Sequence, residues 1–141
     1  KSTPRGSIDR ALNPLMLALS AGATFVARGF SGQPKELSDL IVRGMDHNGF
    51  AVIDVLSPCV TFNKINTFKL YREIVKPLPE DRDLGDLGDA MRLAAQSDPM
   101  YVGVFYREDG VASFEDGVES QKAGSEADTR RVLENLFDRF S

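Results

Sequence analysis

The run Phe50–Leu56, Phe-Ala-Val-Ile-Asp-Val-Leu, constrains this chain more than any other feature. A strand with one face in water alternates apolar and polar residues. A nearly continuous apolar strand is expected to be covered on both faces, as in the parallel sheets of α/β proteins. What precedes it completes a unit. Thr24–Arg28 reads as a short strand and Gly29–Gln33 as a loop. Pro34 opens a helix through His47, with Leu37, Leu40, Ile41 and Met45 on one stripe, and Gly49 ends it. Strand, helix and strand joined by short loops form a βαβ unit with parallel strands and a right-handed crossover.

Before this unit, Asn13-Pro14 is a helix start, with Asn as cap and Pro at the first helical position. The helix Pro14–Ala21 is apolar nearly all round and is expected to be buried on most sides. Gly22 stops it. The first nine residues read as loop. Thr3–Asp9 could cradle an anion through its backbone donors. It lacks the spacing of a Walker loop or a dinucleotide fingerprint, so a plain loop is the simpler reading.

After Leu56 come Ser57-Pro58-Cys59-Val60-Thr61-Phe62-Asn63 and a helix over about 66–76, ended by Pro77 and Pro79. Glu80–Asp89 reads as an acidic connector. Leu87–Ser97 reads as a short helix and Tyr101–Tyr106 as a strand, turned at Glu108-Asp109-Gly110. Ser113–Ser125 is polar and is expected to be extended or mobile. The last helix is expected to start at Ser125, with Asp128 three residues on as a capping-box variant. Its Val132, Leu133, Leu136, Phe137 and Phe140 share a face that needs something to dock on.

The chain has 141 residues, enough for one core. Its net charge of −4 argues against nucleic acid, which needs a basic face. No apolar run reaches the roughly 18 residues that span a bilayer. The single cysteine, Cys59, cannot form a disulfide within the chain, and no signal peptide or lipidation motif is present. These points imply a reducing, cytoplasmic compartment. The chain opens at Lys1 without an initiator methionine and offers only two clear parallel-type strands. The expectation is an incomplete sheet whose other strands lie on sequence upstream.

Cys59 sits just beyond the carboxyl end of the second strand, the edge at which ligands gather in open α/β sheets. Three roles are open to it. It can be a buried small hydrophobe, a nucleophile, or one ligand of a cluster held mainly by other sequence. The nucleophile lacks a base. The only histidine, His47, ends the helix toward the opposite edge and reads as a cation at the negative end of that helix. The acidic residues Glu80, Asp81, Asp83, Asp86 and Asp89 read as a solvated connector, and Tyr101–Tyr106 as core or subunit interface.

Three blocks together resemble one family. The first runs from Lys1-Ser2-Thr3-Pro4-Arg5-Gly6-Ser7-Ile8-Asp9 through Asn13-Pro14 to Ala21–Arg28. The second is Ser57–Asn63 and the third Val102–Arg107. In order and separation they resemble the β subunit of 2-oxoacid:ferredoxin oxidoreductases, most of all the 2-oxoglutarate enzymes. Ala11-Leu12 departs from that family, which often has a proline before the Asn-Pro pair. About 117–125 matches nothing in it.

The resemblance implies an α/β fold: the C-terminal part of a thiamine-diphosphate-binding fold with a mostly parallel sheet. Residues 1–79 would form the βαβ portion. Residues 80–141 would form an extension packed on it or on a partner subunit. It implies oxidative decarboxylation of a 2-oxoacid to the acyl-CoA, with electrons leaving singly to ferredoxin. The cofactors implied are thiamine diphosphate, Mg2+ and a 4Fe-4S cluster. The partners implied are an α subunit, ferredoxin, the 2-oxoacid and coenzyme A. By the match of the Pro-Cys-Val-Thr-Phe-Asn block, Cys59 is the fourth cluster ligand. The other three cysteines and the thiamine motif are expected upstream of Lys1, so this chain alone is not expected to turn over substrate. The competing reading is a non-enzymatic α/β module that binds a protein through its last helix, with Cys59 in the core.

Overall fold

The computed structural model describes residues 8–140, with the backbone alone at 125–127 and 134–140. The opening block through Ser7, and with it most of the anion cradle read at Thr3–Asp9, lies outside the described residues. So do the side chains of Leu136, Phe137 and Phe140 on the apolar face of the last helix.

Helix α1 is Pro14–Ser20, and the Asn13 side chain accepts from the Met16 N–H as its cap. Asn13 also donates through Nδ2 to the Ala94 carbonyl at 2.7 Å, which ties the helix start to a later helix. Leu15, Ala18 and Leu19 are buried while Leu17 is half-exposed. The helix thus buries one side rather than most of its surface.

Strand β1 is Phe25–Phe30, and all six residues are buried, as a central strand requires. Helix α2, Pro34–Met45, lies over it. Gly29 permits the close approach, since a Cβ there would stand 2.6 Å from Leu37 Cδ1. Strand β2, Ala51–Leu56, runs parallel to β1 in register Phe25↔Ala51 to Phe30↔Leu56. The βαβ unit is therefore present. Its second strand, however, is not covered on both faces by this chain. It is the outer strand, its residues are only part-buried, and Val55 is 41% exposed.

Helix α3 is Phe68–Ile74, capped by the Thr67 side chain. It ends sooner than the apolar pattern suggests because Val75–Pro77 forms a short strand, β3. Helix α4, Leu87–Ala94, is capped by Asp86. Strand β4, Met100–Arg107, lies between β1 and β3, antiparallel to the first and parallel to the second. The result is one mixed sheet of order β2-β1-β4-β3, parallel in two of its three pairings. One face carries a core of Leu15, Leu19, Val26, Leu93 and Phe105 under α1 and α4. The other carries Phe25, Ala27, Leu40 and Val104 under α2.

Helix α5 runs from Phe114 to Phe140. It overturns the reading of 113–125 as extended and of a start at Ser125. The cause is a reciprocal cap one segment earlier. Ser113 Oγ accepts from the Asp116 N–H at 3.1 Å, and Asp116 Oδ2 accepts from the Ser113 N–H at 3.2 Å. Val132 and Leu133 on this helix are about half-exposed. Among the described residues no helix is long and apolar enough to cross a membrane.

Candidate functional site

Parallel strands β1 and β2 end side by side, and the Ser31 N–H donates to the Leu56 carbonyl at 3.0 Å. The segment after β2 cannot continue the strand, because Pro58 and the folded turn behind it redirect the chain. Asn63 fixes that turn. Its N–H donates to the Cys59 carbonyl at 3.1 Å, and its Oδ1 accepts from the N–H groups of Ile65 and Asn66 at 3.0 Å each. Lys64 Nζ donates to the Val60 carbonyl at 2.8 Å and so stays beside the turn.

Cys59 stands on this turn, exposed. That rules out the reading of its thiol as a buried small hydrophobe within this chain. The backbone N–H of Phe62, then that of Thr61, holds the thiol below its ordinary pKa, with smaller help from the Asn63 N–H and the Lys64 charge. Donors aimed at sulfur favour the thiolate, the form that ligates iron. Val60, Phe62 and Ile65, close to it in sequence, are exposed apolar side chains. Ser31 Oγ, at the end of β1, is buried with no hydrogen-bond partner.

A single thiolate does not make a metal centre. Among the described residues no group of three or more His, Cys, Asp or Glu is arranged to hold a metal ion. The donor set fits one corner of an iron–sulfur cluster, with an accessible, anion-stabilised sulfur. It does not fit a complete site. It does not fit a thiol nucleophile with a base either. His47 lies at the start of β1 and β2, away from Cys59. Its Nε2 is 2.9 Å from Thr24 Oγ1, and its ring rests 5.4 Å from that of Phe25. It lies just past the end of α2 and closes the N-terminal ends of β1 and β2.

The acidic connector also has structural work. Asp86 caps α4, and Asp83 Oδ1 accepts from the Gly85 N–H. Asp89 pairs with Arg82 and Arg92. Two buried arginines escape a reading of the sequence alone. Arg28 donates through Nε to Asp54 Oδ2 at 2.7 Å, across register partners of β1 and β2, and sits over the Phe105 ring. Arg82 bonds the backbone of β4. The Arg28–Asp54 pairing could have been found from the register of the two strands. Nothing in the residue pattern marks Arg82.

A family model for the C-terminal part of the pyruvate ferredoxin oxidoreductase β chain matches residues 59–123. The 2-oxoacid:ferredoxin oxidoreductase subunit beta of a Sulfolobus species is 36% identical over 132 residues, covering 85% of this chain and 43% of the relative. The 2-oxoglutarate oxidoreductase subunit KorB of Mycobacterium tuberculosis is 41% identical over 63 residues, covering 45% of this chain and 17% of the relative. A solved structure, the 2-oxoglutarate:ferredoxin oxidoreductase from Magnetococcus marinus with 2-oxoglutarate, coenzyme A and succinyl-CoA bound, superposes with a TM-score of 0.83. It is 38% identical and covers 89% of this chain and 43% of that one. In fold and sequence the chain is akin to oxidoreductase subunits. It belongs to the family of 2-oxoacid:ferredoxin oxidoreductase β subunits. It spans less than half the length of the relatives it matches over most of its own length.

Proposed function

We propose that this chain serves as part of the β subunit of an enzyme that oxidatively decarboxylates a 2-oxoacid, 2-oxoglutarate by preference, to the acyl-CoA and CO2 with reduction of ferredoxin. The observation that carries the reading is the exposed Cys59 at the carboxyl ends of two parallel strands, with backbone donors holding its thiol toward the thiolate. In this reading Cys59 is one ligand of a 4Fe-4S cluster. The remaining ligands, and the residues that bind thiamine diphosphate and Mg2+, come from polypeptide outside this chain. When bound, the thiamine supplies carbanion chemistry and the cluster takes electrons one at a time.

The chain's own residues position that sulfur. Asn63 folds the turn, Phe62 and Thr61 present N–H groups to the sulfur, and the β1–β2 pairing fixes the turn to the sheet. The apolar side chains of Val60, Phe62 and Ile65 suit a contact that excludes water from the sulfur. An α subunit and ferredoxin are the partners in this reading. The preference for 2-oxoglutarate follows the names of the M. tuberculosis and M. marinus relatives.

The test is Cys59→Ser in the complete enzyme, with iron content, the cluster's paramagnetic signal and ferredoxin reduction measured together. Loss of iron and of ferredoxin reduction is expected. Unchanged iron and an unchanged rate would remove the assignment. Comparing turnover of 2-oxoglutarate with that of pyruvate decides the substrate.

A further inference from the structure

The helices do not cover the two faces of the sheet alike. On one face α2 packs on β1 and β2. The helix that packs on β4, α4, lies on the other face, over Phe105. Beside α2 this leaves a groove of about 460 Å³. Its floor is apolar, from Leu37, Leu40, Pro77 and Val102, and Glu36 and Asp39 stand on its α2 rim. An apolar side chain laid there would take the place of water over that floor.

The chain also carries an apolar stripe with nothing beneath it. From Phe114 to Leu133 the described side chains of α5 are exposed, Val118 alone being half-buried. A helix in water draws most of its stability from packing of its apolar face. By helical spacing Thr129, Val132 and Leu133 lie on one side of α5. Val132 and Leu133 are 56% and 49% exposed. The sequence continues the stripe with Leu136, Phe137 and Phe140. Arg130 flanks it, while Asp128 is paired with Arg131. The flank at Arg130 is basic where the rim of the groove is acidic. This stretch lies past residue 123, where the family match ends.

The stripe cannot reach the groove of its own chain. Arg43 lines the groove and also the cleft that Val111 lines, so α5 is rooted at the Arg43 end. From Gln33 to Arg43 the groove follows about 15 Å of helix, whereas Val132 lies about 27 Å along α5 from Phe114. Laid along its own groove, the helix would carry Val132 and Leu133 past the far end. A second copy is under no such constraint. We infer that the stripe of α5 around Val132 and Leu133 docks in the groove between α2 and β4 of a second copy of this chain, with Arg130 against Glu36 and Asp39. Exchanged between two copies, the contact closes a two-fold dimer. The inference rests on the placement of these two surfaces and not on the role of Cys59.

Photo-cross-linking in the complete enzyme tests it. A benzophenone amino acid replaces the exposed Leu133, and the products are sized on a denaturing gel and mapped by mass spectrometry. The expected product joins two β chains, from position 133 of one to residues 33–43 or 102–103 of the other. Val132→Asp puts a charge into the contact and should cut the yield at least about tenfold. Arg130→Glu should cut it about fivefold, and adding Asp39→Lys should restore it. Val132, Arg130 and Asp39 are all exposed, so these variants are not expected to disturb the fold. The inference is overturned if the cross-link stays within one chain, reaches an α subunit or another part of β, or does not form. It is overturned too if Val132→Asp and Arg130→Glu leave the yield unchanged. None of these readouts depends on iron, so a failed contact and a failed cluster assignment are told apart.

Discussion

Arg82 and Asp89 meet at 2.8 Å between the connector and helix α4, and the same guanidinium reaches the sheet. Its Nη1 and Nη2 donate to the carbonyls of Val104 and Phe105 at 3.2 and 3.0 Å. β3 has stopped by then, and only the Leu78 N–H continues its ladder to the Val102 carbonyl. One buried side chain therefore takes over from a strand. Arg82→Ala would leave two strand carbonyls without a donor and weaken the hold on Asp89. We expect a loss of about 2–4 kcal/mol, read from urea unfolding. Arg82→Lys should recover less than half, because an ammonium cannot make the forked contact. A loss under about 0.5 kcal/mol for Arg82→Ala would show that water replaces the contacts.

Asp89 also sets an acid limit. Its pKa is lowered, first by the hydrogen bond from Arg82 and then by that from Arg92. A carboxyl depressed in the folded state contributes stability above its unfolded value, and that contribution is lost as pH falls through the lower folded value. Stability should therefore fall across and below the ordinary carboxylate range. Asp89→Asn should flatten that part of the Tm-against-pH curve while lowering Tm at neutral pH. An Asn variant with the parent's acid slope contradicts this account.

Gly49 holds the N-terminal edge of the sheet together. Its φ is +114°, and a Cβ would stand 2.5 Å from Thr24 Oγ1, the atom that meets His47 and accepts from the Phe50 N–H. Gly49→Ala should cost about 1–3 kcal/mol and shift the His47 ring resonances. Gly110→Ala, equally left-handed at +78° but with nothing near, isolates the backbone cost from the collision.

The thiol of Cys59 should react below the pH of an ordinary cysteine. Its pKa is lowered mainly by the Phe62 and Thr61 N–H groups. The rate of iodoacetamide alkylation against pH should reach its midpoint lower in the folded chain than in the chain unfolded in urea. Coincident midpoints would mean that the turn does not hold its donors on the sulfur.

The βαβ unit is legible in the sequence because proline and glycine punctuate it and its helix keeps one apolar stripe. The thiol's place at the strand ends follows from that unit. Other features are hidden for identifiable reasons. Three residues of β3 carry no period. The start of α5 is masked by Gly117, Gly124 and a polar composition, although Ser113 and Asp116 bear the same cap signature as Ser125 and Asp128. Arg82 bonds backbone carbonyls, and main-chain partners leave no mark on a sequence. The exposure of Cys59 and of the nearby Val60, Phe62 and Ile65 is a property of the tertiary arrangement.

The closure of the sheet by Pro77 has a consequence for how copies of this chain can behave. A slab with two open sides can add neighbours without end and grow into fibres. Among the described residues this one has a single full-length edge, β2, so its valence in strand pairing is expected to be one. Copies of it can pair along β2, whereas among the described residues the opposite edge offers only the three residues of β3, a poor template for a growing filament.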